Sequence, residues 1–133
     1  MNNEIFYFFY NFAHQSNIFD NLIIFLAVYL PYLVIILAGL FLFLHHRVLS
    51  SSNPIMTLLK NWQDFFLVFF SGFLAVAVDL ILKYLIQEPR PFIALLGIIP
   101  LFPESGYAFP SGHATFFSAL AIAIFFVNKK VGY

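Results

Sequence analysis

The chain contains no cysteine among its 133 residues. Disulfide bonds and zinc sites built from thiolates are therefore excluded, and cysteine usage does not indicate a redox compartment. Charge is also scarce, since 9% of the residues are Asp, Glu, Lys or Arg, against roughly 25% in an ordinary soluble domain. The formal net charge is zero, so no basic surface field is available and we predict no nucleic-acid partner.

Apolar residues are abundant instead. They make up 62% of the sequence, and the mean hydropathy is +0.93. A water-soluble fold of this size exposes too much of its surface to bury so many apolar side chains. We therefore predict an all-α, polytopic membrane helix bundle. The N-terminus has no basic segment and no small-residue cleavage site before the first long apolar run, so we expect no cleavable signal peptide.

Three apolar stretches predict the membrane spans. Residues 21–44 carry no charge, and at about 1.5 Å per residue they can cross a hydrocarbon core about 30 Å thick. Residues 65–82 are uncharged except for Asp79, and residues 111–127 form a shorter third span that is rich in alanine and serine. Pro31 lies inside the first span and predicts a kink.

Two further apolar segments are too short to cross. The aromatic-rich residues 1–19 are predicted to lie along the membrane surface. Residues 93–102 belong to a loop rich in proline and are predicted to follow an interfacial or re-entrant path. The whole chain, residues 1–133, is predicted to form a single membrane domain. His14, within the first of these segments, is expected to be a solvated interfacial residue.

The basic residues predict the orientation of the bundle. Lysine and arginine favour the cytoplasmic side of membrane spans. Four of the six basic residues fall on one side if three spans alternate, and that side is predicted to be cytoplasmic: Arg47, Lys60, Lys129 and Lys130. Lys83 and Arg90 then lie on the outer side, and the functional surface is predicted to face away from the cytoplasm.

Lys83 and Arg90 are the first candidate site residues. A lysine at a helix end is equally compatible with an interfacial anchor. Asp79 precedes Lys83 by four residues, which favours an ion pair that is either structural or aims the ammonium group. The planar guanidinium of Arg90 suits a tetrahedral oxyanion better than it suits anchoring. Pro89 and Pro91 place that guanidinium on a stiff, non-helical segment.

The second candidate motif is Pro110-Ser111-Gly112-His113, at the start of the third span. Ser111 is predicted to be an N-cap, so that the free amides and the positive end of the helix dipole face the outer surface. Such helix ends bind phosphate, and Gly112 lets a ligand approach the backbone closely. A capped helix start with an interfacial histidine at His113 is the alternative. The presence of both motifs on the same face of the membrane indicates a phosphate site more specifically than either motif alone.

These residues carry a resemblance to a known family. The first motif is a lysine followed, after six residues, by Arg-Pro, and the second is Pro-Ser-Gly-His. Together they resemble the first two motifs of the type 2 phosphatidic acid phosphatase (PAP2) superfamily. Residues 1–6, 88–92 and 128–133 are similar to bacterial undecaprenyl-diphosphate phosphatases of that superfamily. The likeness covers the whole chain. It implies the N-terminal part of a six-helix core, with about three spans in these residues.

The resemblance also implies roles for the candidate residues. Lys83 and Arg90 would bind the terminal phosphate of a lipid. Ser111 and the Gly112 amide would donate hydrogen bonds to its oxygens, and His113 would be the general acid that protonates the leaving oxygen. The family works without metal or cofactor, which agrees with the lack of an acidic cluster for magnesium in the sequence.

One family motif is missing from these residues. The third motif, Ser-Arg followed by a nucleophilic histidine and an aspartate, has no counterpart, because no His, Arg, Asp or Glu follows His113. Catalysis through a phosphohistidine needs that nucleophile. We therefore expect an incomplete family member that binds phosphate without turnover.

The leading hypothesis is a lipid phosphatase that converts undecaprenyl diphosphate to the monophosphate and phosphate, at the outer face of a bacterial plasma membrane. Its partners would be the lipid diphosphate and membrane lipids. One alternative is a phosphatase for phosphatidate or phosphatidylglycerol phosphate. Others are a non-catalytic protein that binds anionic lipid headgroups, and a structural subunit. The related vanadate-binding haloperoxidases are soluble, and three apolar spans argue against them.

Overall fold

The computed structural model describes residues 3–13, 15–95, 97–102 and 104–129, and the predicted all-α class is confirmed. His14, Lys130 and residues 131–133 lie outside the described residues. A π-helical turn, Phe25–Tyr29, joins the second and third helices, and a short 3₁₀ turn, Val48–Ser50, follows the third. The α-helices are α1 Asn3–Tyr10, α2 Asn17–Ile24, α3 Leu30–His45, α4 Pro54–Lys60, α5 Trp62–Ile86, α6 Pro91–Ala94 and α7 Gly112–Val127.

Within the described ranges, two helical stretches are long and apolar enough to cross a membrane. The first runs over 29 residues, Asn17–His45, and includes α2, the π-helical turn and α3. The second, Trp62–Ala94, consists of α5 and the short α6 after a break. The third predicted span corresponds to α7, whose 16 residues rise about 24 Å, less than a hydrocarbon core of about 30 Å.

The core lies where α7 packs against α5, with α3 on the side. Five buried apolar side chains from these three helices form it: Ala38, Leu42, Val68, Leu120 and Ala123. Gly72 lies at the crossing of α5 and α7, where a Cβ atom would come within 3.0 Å of the Phe116 ring. Small residues at a helix crossing let backbones approach closely, which is how membrane helices associate.

The outer faces of the long helices remain apolar and exposed. Ile36 of α3, Phe73 of α5 and Phe126 of α7 are 66%, 70% and 73% exposed. Contiguous apolar faces of this kind require a covering of lipid or protein, because water would solvate them poorly.

The helix order places two groups of charges at opposite ends. Helix α5 has 25 residues and rises about 37 Å from Trp62 to Ile86. Lys83 lies near its C-terminal end, and α7 starts beside it. Asn128, just after α7, contacts His45 at 3.4 Å, so the end of α7 returns to the end of α3. Arg47, Lys60 and Lys129 are close in sequence to that second end.

We expect Gly72→Ala to be less stable than Gly39→Ala by about 1–3 kcal/mol, the usual cost of overpacking. Both changes place alanine inside a helix and gain about 1 kcal/mol of helix propensity. At Gly39 a Cβ atom would meet the Phe69 ring at an ordinary 3.5 Å, whereas at Gly72 the Phe116 ring has to shift. Thermal unfolding of both variants in detergent micelles measures the difference. Equal stabilities would contradict the close crossing of α5 and α7.

Candidate functional site

The start of α7 has the geometry of a capped helix. Ser111 is extended, with φ −76° and ψ 113°, and its Oγ accepts a hydrogen bond from the Ala114 amide at 3.4 Å. Its carbonyl accepts from the Thr115 amide at 3.0 Å. The predicted N-cap is confirmed. The amides of Gly112 and His113 belong to the first turn, where N–H groups have no acceptor within the helix.

Lys83 is held by a buried carboxylate one helical turn earlier on α5. Its Nζ lies 2.8 Å from Asp79 Oδ2, which confirms the predicted ion pair. Asp79 is 5% exposed, and its Oδ1 is buried without a hydrogen-bond partner among the described residues. Burying a carboxylate is unfavourable unless it is paired. Asp79 therefore needs the Lys83 ammonium group beside it, and this requirement fixes the position of the ammonium group.

Gly112 brings the start of α7 against this ion pair. A Cβ atom at position 112 would lie 3.3 Å from Asp79 Oδ2 and 3.4 Å from Lys83 Nζ. A Cβ atom there would require Asp79 Oδ2 to shift by a few tenths of an ångström, so glycine permits the closest approach. The ammonium group and the positive end of α7 consequently lie side by side, and both attract an anion.

Arg90 is anchored to the loop that precedes α7. Arg90 itself is extended, with φ −69° and ψ 149°, as predicted, but the segment predicted to be non-helical becomes helical at Pro91, the first residue of α6. Its Nε donates to the Gly106 carbonyl and its Nη2 to the Ser105 carbonyl, both at 3.2 Å. Glu104 Oε2 lies 3.1 Å from Nη2. The structure therefore pairs Glu104 with Arg90.

We expect Glu104→Gln to tighten the binding of inorganic phosphate two- to fivefold, since an exposed ion pair contributes about 0.2–1 kcal/mol. Glu104 occupies a guanidinium nitrogen that an incoming phosphate would use, and its charge repels the anion. Isothermal titration in detergent micelles at fixed ionic strength measures the affinity. Glu88→Gln, which removes a carboxylate from an exposed side chain outside the cavity described below, is the matched control. If Glu104→Gln bound phosphate more weakly than the unaltered chain while Glu88→Gln did not, Glu104 would not compete with phosphate for Arg90.

His113 contacts the first long helical stretch. Its Nε2 lies 2.8 Å from the carbonyl oxygen of Ala27, and its ring centroid lies 5.8 Å from that of Phe117. No local pattern in the sequence connects Ala27 with His113. The available signal was Pro31, because a proline leaves the carbonyl four residues earlier without its helical donor.

All five predicted site residues line one cavity of about 530 Å³. Asp79 and Glu104 also line it, each paired with one of the two cations. The structure thus brings together Lys83, Arg90, Ser111, Gly112 and His113. Among the described residues, no group of three or more His, Cys, Asp or Glu side chains could hold a metal ion. Two cations, a helix N-terminus and an imidazole around one cavity form an arrangement suited to a phosphate group.

A second, apolar cavity of about 830 Å³ adjoins the first. Arg90 and Phe102 line both cavities. Its other walls include aromatic side chains of α1, apolar side chains of α2 and α6, and the apolar loop residues 98–101. A molecule with a charged group in the first cavity can therefore extend an apolar part into the second.

Comparison with known proteins shows the family to which the chain belongs. Residues 64–133 match the model of the PAP2 superfamily. The chain is also 31% identical over 140 residues to undecaprenyl-diphosphatase BcrC of Bacillus subtilis. That alignment covers 100% of the chain, which spans 63% of the length of the relative. No solved structure was found to match. Because the family match covers more than half of the chain and includes both motifs, the chain belongs to the PAP2 superfamily.

Proposed function

We propose that this chain supplies the phosphate-binding part of a membrane lipid phosphatase. The substrate is a polyprenyl diphosphate of the undecaprenyl type, and the products are the monophosphate and phosphate. One observation carries the proposal: five residues from three separate segments of the chain converge on a single cavity of about 530 Å³. The similarity to an undecaprenyl-diphosphatase supports the diphosphate over other lipid phosphates.

Each residue has a role that its geometry supports. Lys83 and Arg90 bind the oxygens of the terminal phosphate, one as a point charge and the other as a planar fork. The Ser111 hydroxyl and the Gly112 amide donate further hydrogen bonds. These donors are fixed before the substrate arrives, so they stabilise the charge of the transition state without reorganising. His113 protonates the leaving oxygen.

The nucleophile comes from outside these 133 residues. In the PAP2-type reaction, a histidine attacks the terminal phosphorus, and a phosphohistidine forms as the lipid monophosphate leaves with the proton from His113. Water then attacks the phosphohistidine, while His113 accepts a proton from that water. No metal ion takes part. The chain by itself binds phosphate, and turnover requires the added nucleophile.

The surroundings of the site support a lipid substrate in a membrane. The polyprenyl tail occupies the apolar cavity of about 830 Å³, while the diphosphate lies on the other side of Arg90. The two long apolar stretches and α7 cross the bilayer, and α1 lies at its surface. The end that carries Lys83 and Arg90 faces outward from a bacterial plasma membrane, because the other basic residues favour the cytoplasm.

The test is phosphate release from undecaprenyl diphosphate in detergent micelles without divalent metal. The chain is assayed beside a version extended through its natural downstream sequence, with phosphatidate and phosphatidylglycerol phosphate as competing substrates. We expect release by the extended version alone and a preference for the diphosphate.

A second candidate function is headgroup binding without catalysis, which the absence of the third motif from these residues favours. If neither version releases phosphate from any lipid phosphate, the enzyme proposal is wrong. Vesicle binding that depends on Arg90 would then support the second function.

A further inference from the structure

The Ala27 carbonyl lacks its usual helical donor. In a regular α-helix the N–H of residue 31 would donate to the carbonyl of residue 27. Residue 31 is proline and has no N–H. The π-helical turn Phe25–Tyr29 surrounds Ala27, and the Leu30 amide donates to the Phe25 carbonyl, five residues back. Single π-helical turns often occur at functional sites.

His113 donates to this carbonyl from a different helix. Its Nε2 lies 2.8 Å from the Ala27 oxygen. A carbonyl oxygen can only accept, so Nε2 carries a proton in this contact. The hydrogen bond made by one ring nitrogen of a histidine determines which nitrogen is protonated. With the proton held on Nε2, Nδ1 is the nitrogen that can gain and lose one.

We propose that Pro31 and Ala27 are positioning residues for His113. The Ala27 carbonyl, which cannot receive the usual α-helical hydrogen bond from residue 31 because that residue is proline, holds the imidazole with its proton on Nε2 and assigns the proton transfer to Nδ1. This inference rests on the proposed function, which makes His113 the general acid. All three residues line the cavity that contains Lys83 and Arg90.

The proton transfer then follows a defined sequence. His113 begins as an imidazolium, with Nε2–H on Ala27 and Nδ1–H toward the leaving oxygen. The bond between the terminal phosphorus and the bridging oxygen breaks, its electron pair stays on that oxygen, and the Nδ1 proton neutralises it. The phosphoryl group passes to the nucleophilic histidine. In the second step Nδ1 takes a proton from the water that attacks the phosphorus. The phosphorus–nitrogen bond then breaks, its electron pair returns to the nucleophilic histidine, and phosphate is released.

The protonated nitrogen can be measured without any activity. Nitrogen-15 NMR of histidine-labelled chain in detergent micelles distinguishes protonated from unprotonated ring nitrogens, and His113→Gln assigns the His113 signals. We expect neutral His113 to be protonated on Nε2 and unprotonated on Nδ1. A neutral His113 protonated on Nδ1 in the intact chain would overturn the proposal, and this measurement needs no variant that perturbs a helix.

Pro31→Ala supplies the missing N–H and competes for the Ala27 carbonyl. We expect its His113 spectrum to change to a mixture of the two neutral forms. Pro54→Ala removes a proline from the first turn of α4, at the opposite end of the bundle, and should leave the spectrum unchanged. A Pro31→Ala spectrum identical to that of the intact chain would show that Pro31 has no such role.

The activity test separates this inference from the proposed function. In the extended version, Pro31→Ala is expected to lower kcat about 10- to 100-fold, as small misplacements of a catalytic group do. The pH profile of kcat should change, and KM should stay the same. If kcat and the pH profile stay unchanged while the spectrum changes, the positioning role is wrong. If the unaltered extended version releases no phosphate, the proposed function fails, whereas the spectrum still decides where the His113 proton lies.

Discussion

Replacing His113 by alanine in the extended version is expected to lower kcat for undecaprenyl diphosphate about 10²- to 10⁴-fold, the usual contribution of a general acid. The bridging oxygen of the leaving lipid phosphate gains negative charge as the bond breaks, and a proton from His113 would neutralise it. KM should change much less, because Lys83 and Arg90 remain to bind the phosphate. Phosphate release under steady-state conditions measures both constants.

Two controls make this prediction specific. His113→Gln keeps a side-chain N–H that can reach the Ala27 carbonyl, so it should be as inactive as His113→Ala but closer in stability to the unaltered chain. An aryl phosphate with a leaving group that needs no proton should lose much less rate in either variant. A uniform loss for both substrates would mean that His113 binds phosphate and does not act as the acid.

Replacing Lys83 by methionine is expected to destabilise the chain by about 3–5 kcal/mol, the cost of breaking a buried ion pair by removing one partner. The remaining Asp79 is 5% exposed and has no other cation within hydrogen-bond distance among the described residues. The variant should also lose affinity for inorganic phosphate. Denaturant unfolding in micelles and isothermal titration measure the two losses separately.

The double variant Asp79→Asn/Lys83→Met separates structure from function. Removing both charges leaves no unpaired charge and only a neutral amide at position 79, so much of the lost stability should return. Phosphate affinity should stay low, because the ammonium group is still missing. If the double variant bound phosphate as tightly as the unaltered chain, Lys83 would be a structural partner of Asp79 and nothing more.

Much of the fold could be predicted because it depends on local sequence. The uncharged runs gave the two long helical stretches, although α5 extends beyond residues 65–82 at both ends. Ser111 and the spacing of Asp79 and Lys83 gave the N-cap and the ion pair, since each involves residues within one helical turn. The alternation of helices predicted that the two motifs lie on the same face.

The remaining features depend on contacts between distant parts of the chain. Pro31 predicted a kink, but the partner of the Ala27 carbonyl is 86 residues away and left no local signal. The loop before α7 turns at Gly106, where φ is 81°, and only the folded path brings Glu104 onto Arg90. The apolar cavity beside Arg90 likewise requires α1 to pack on residues 98–102, which no local pattern predicts.

The contact of Gly112 with Asp79 and Lys83 restricts how this chain can change during evolution. A side chain at position 112 would press on Asp79 Oδ2, and a change at either charged position would alter the space beside the glycine. Substitutions at these three positions are therefore expected to be coupled. Homologous sequences are expected to vary here in concert or not at all, even where the apolar helix faces around them diverge freely.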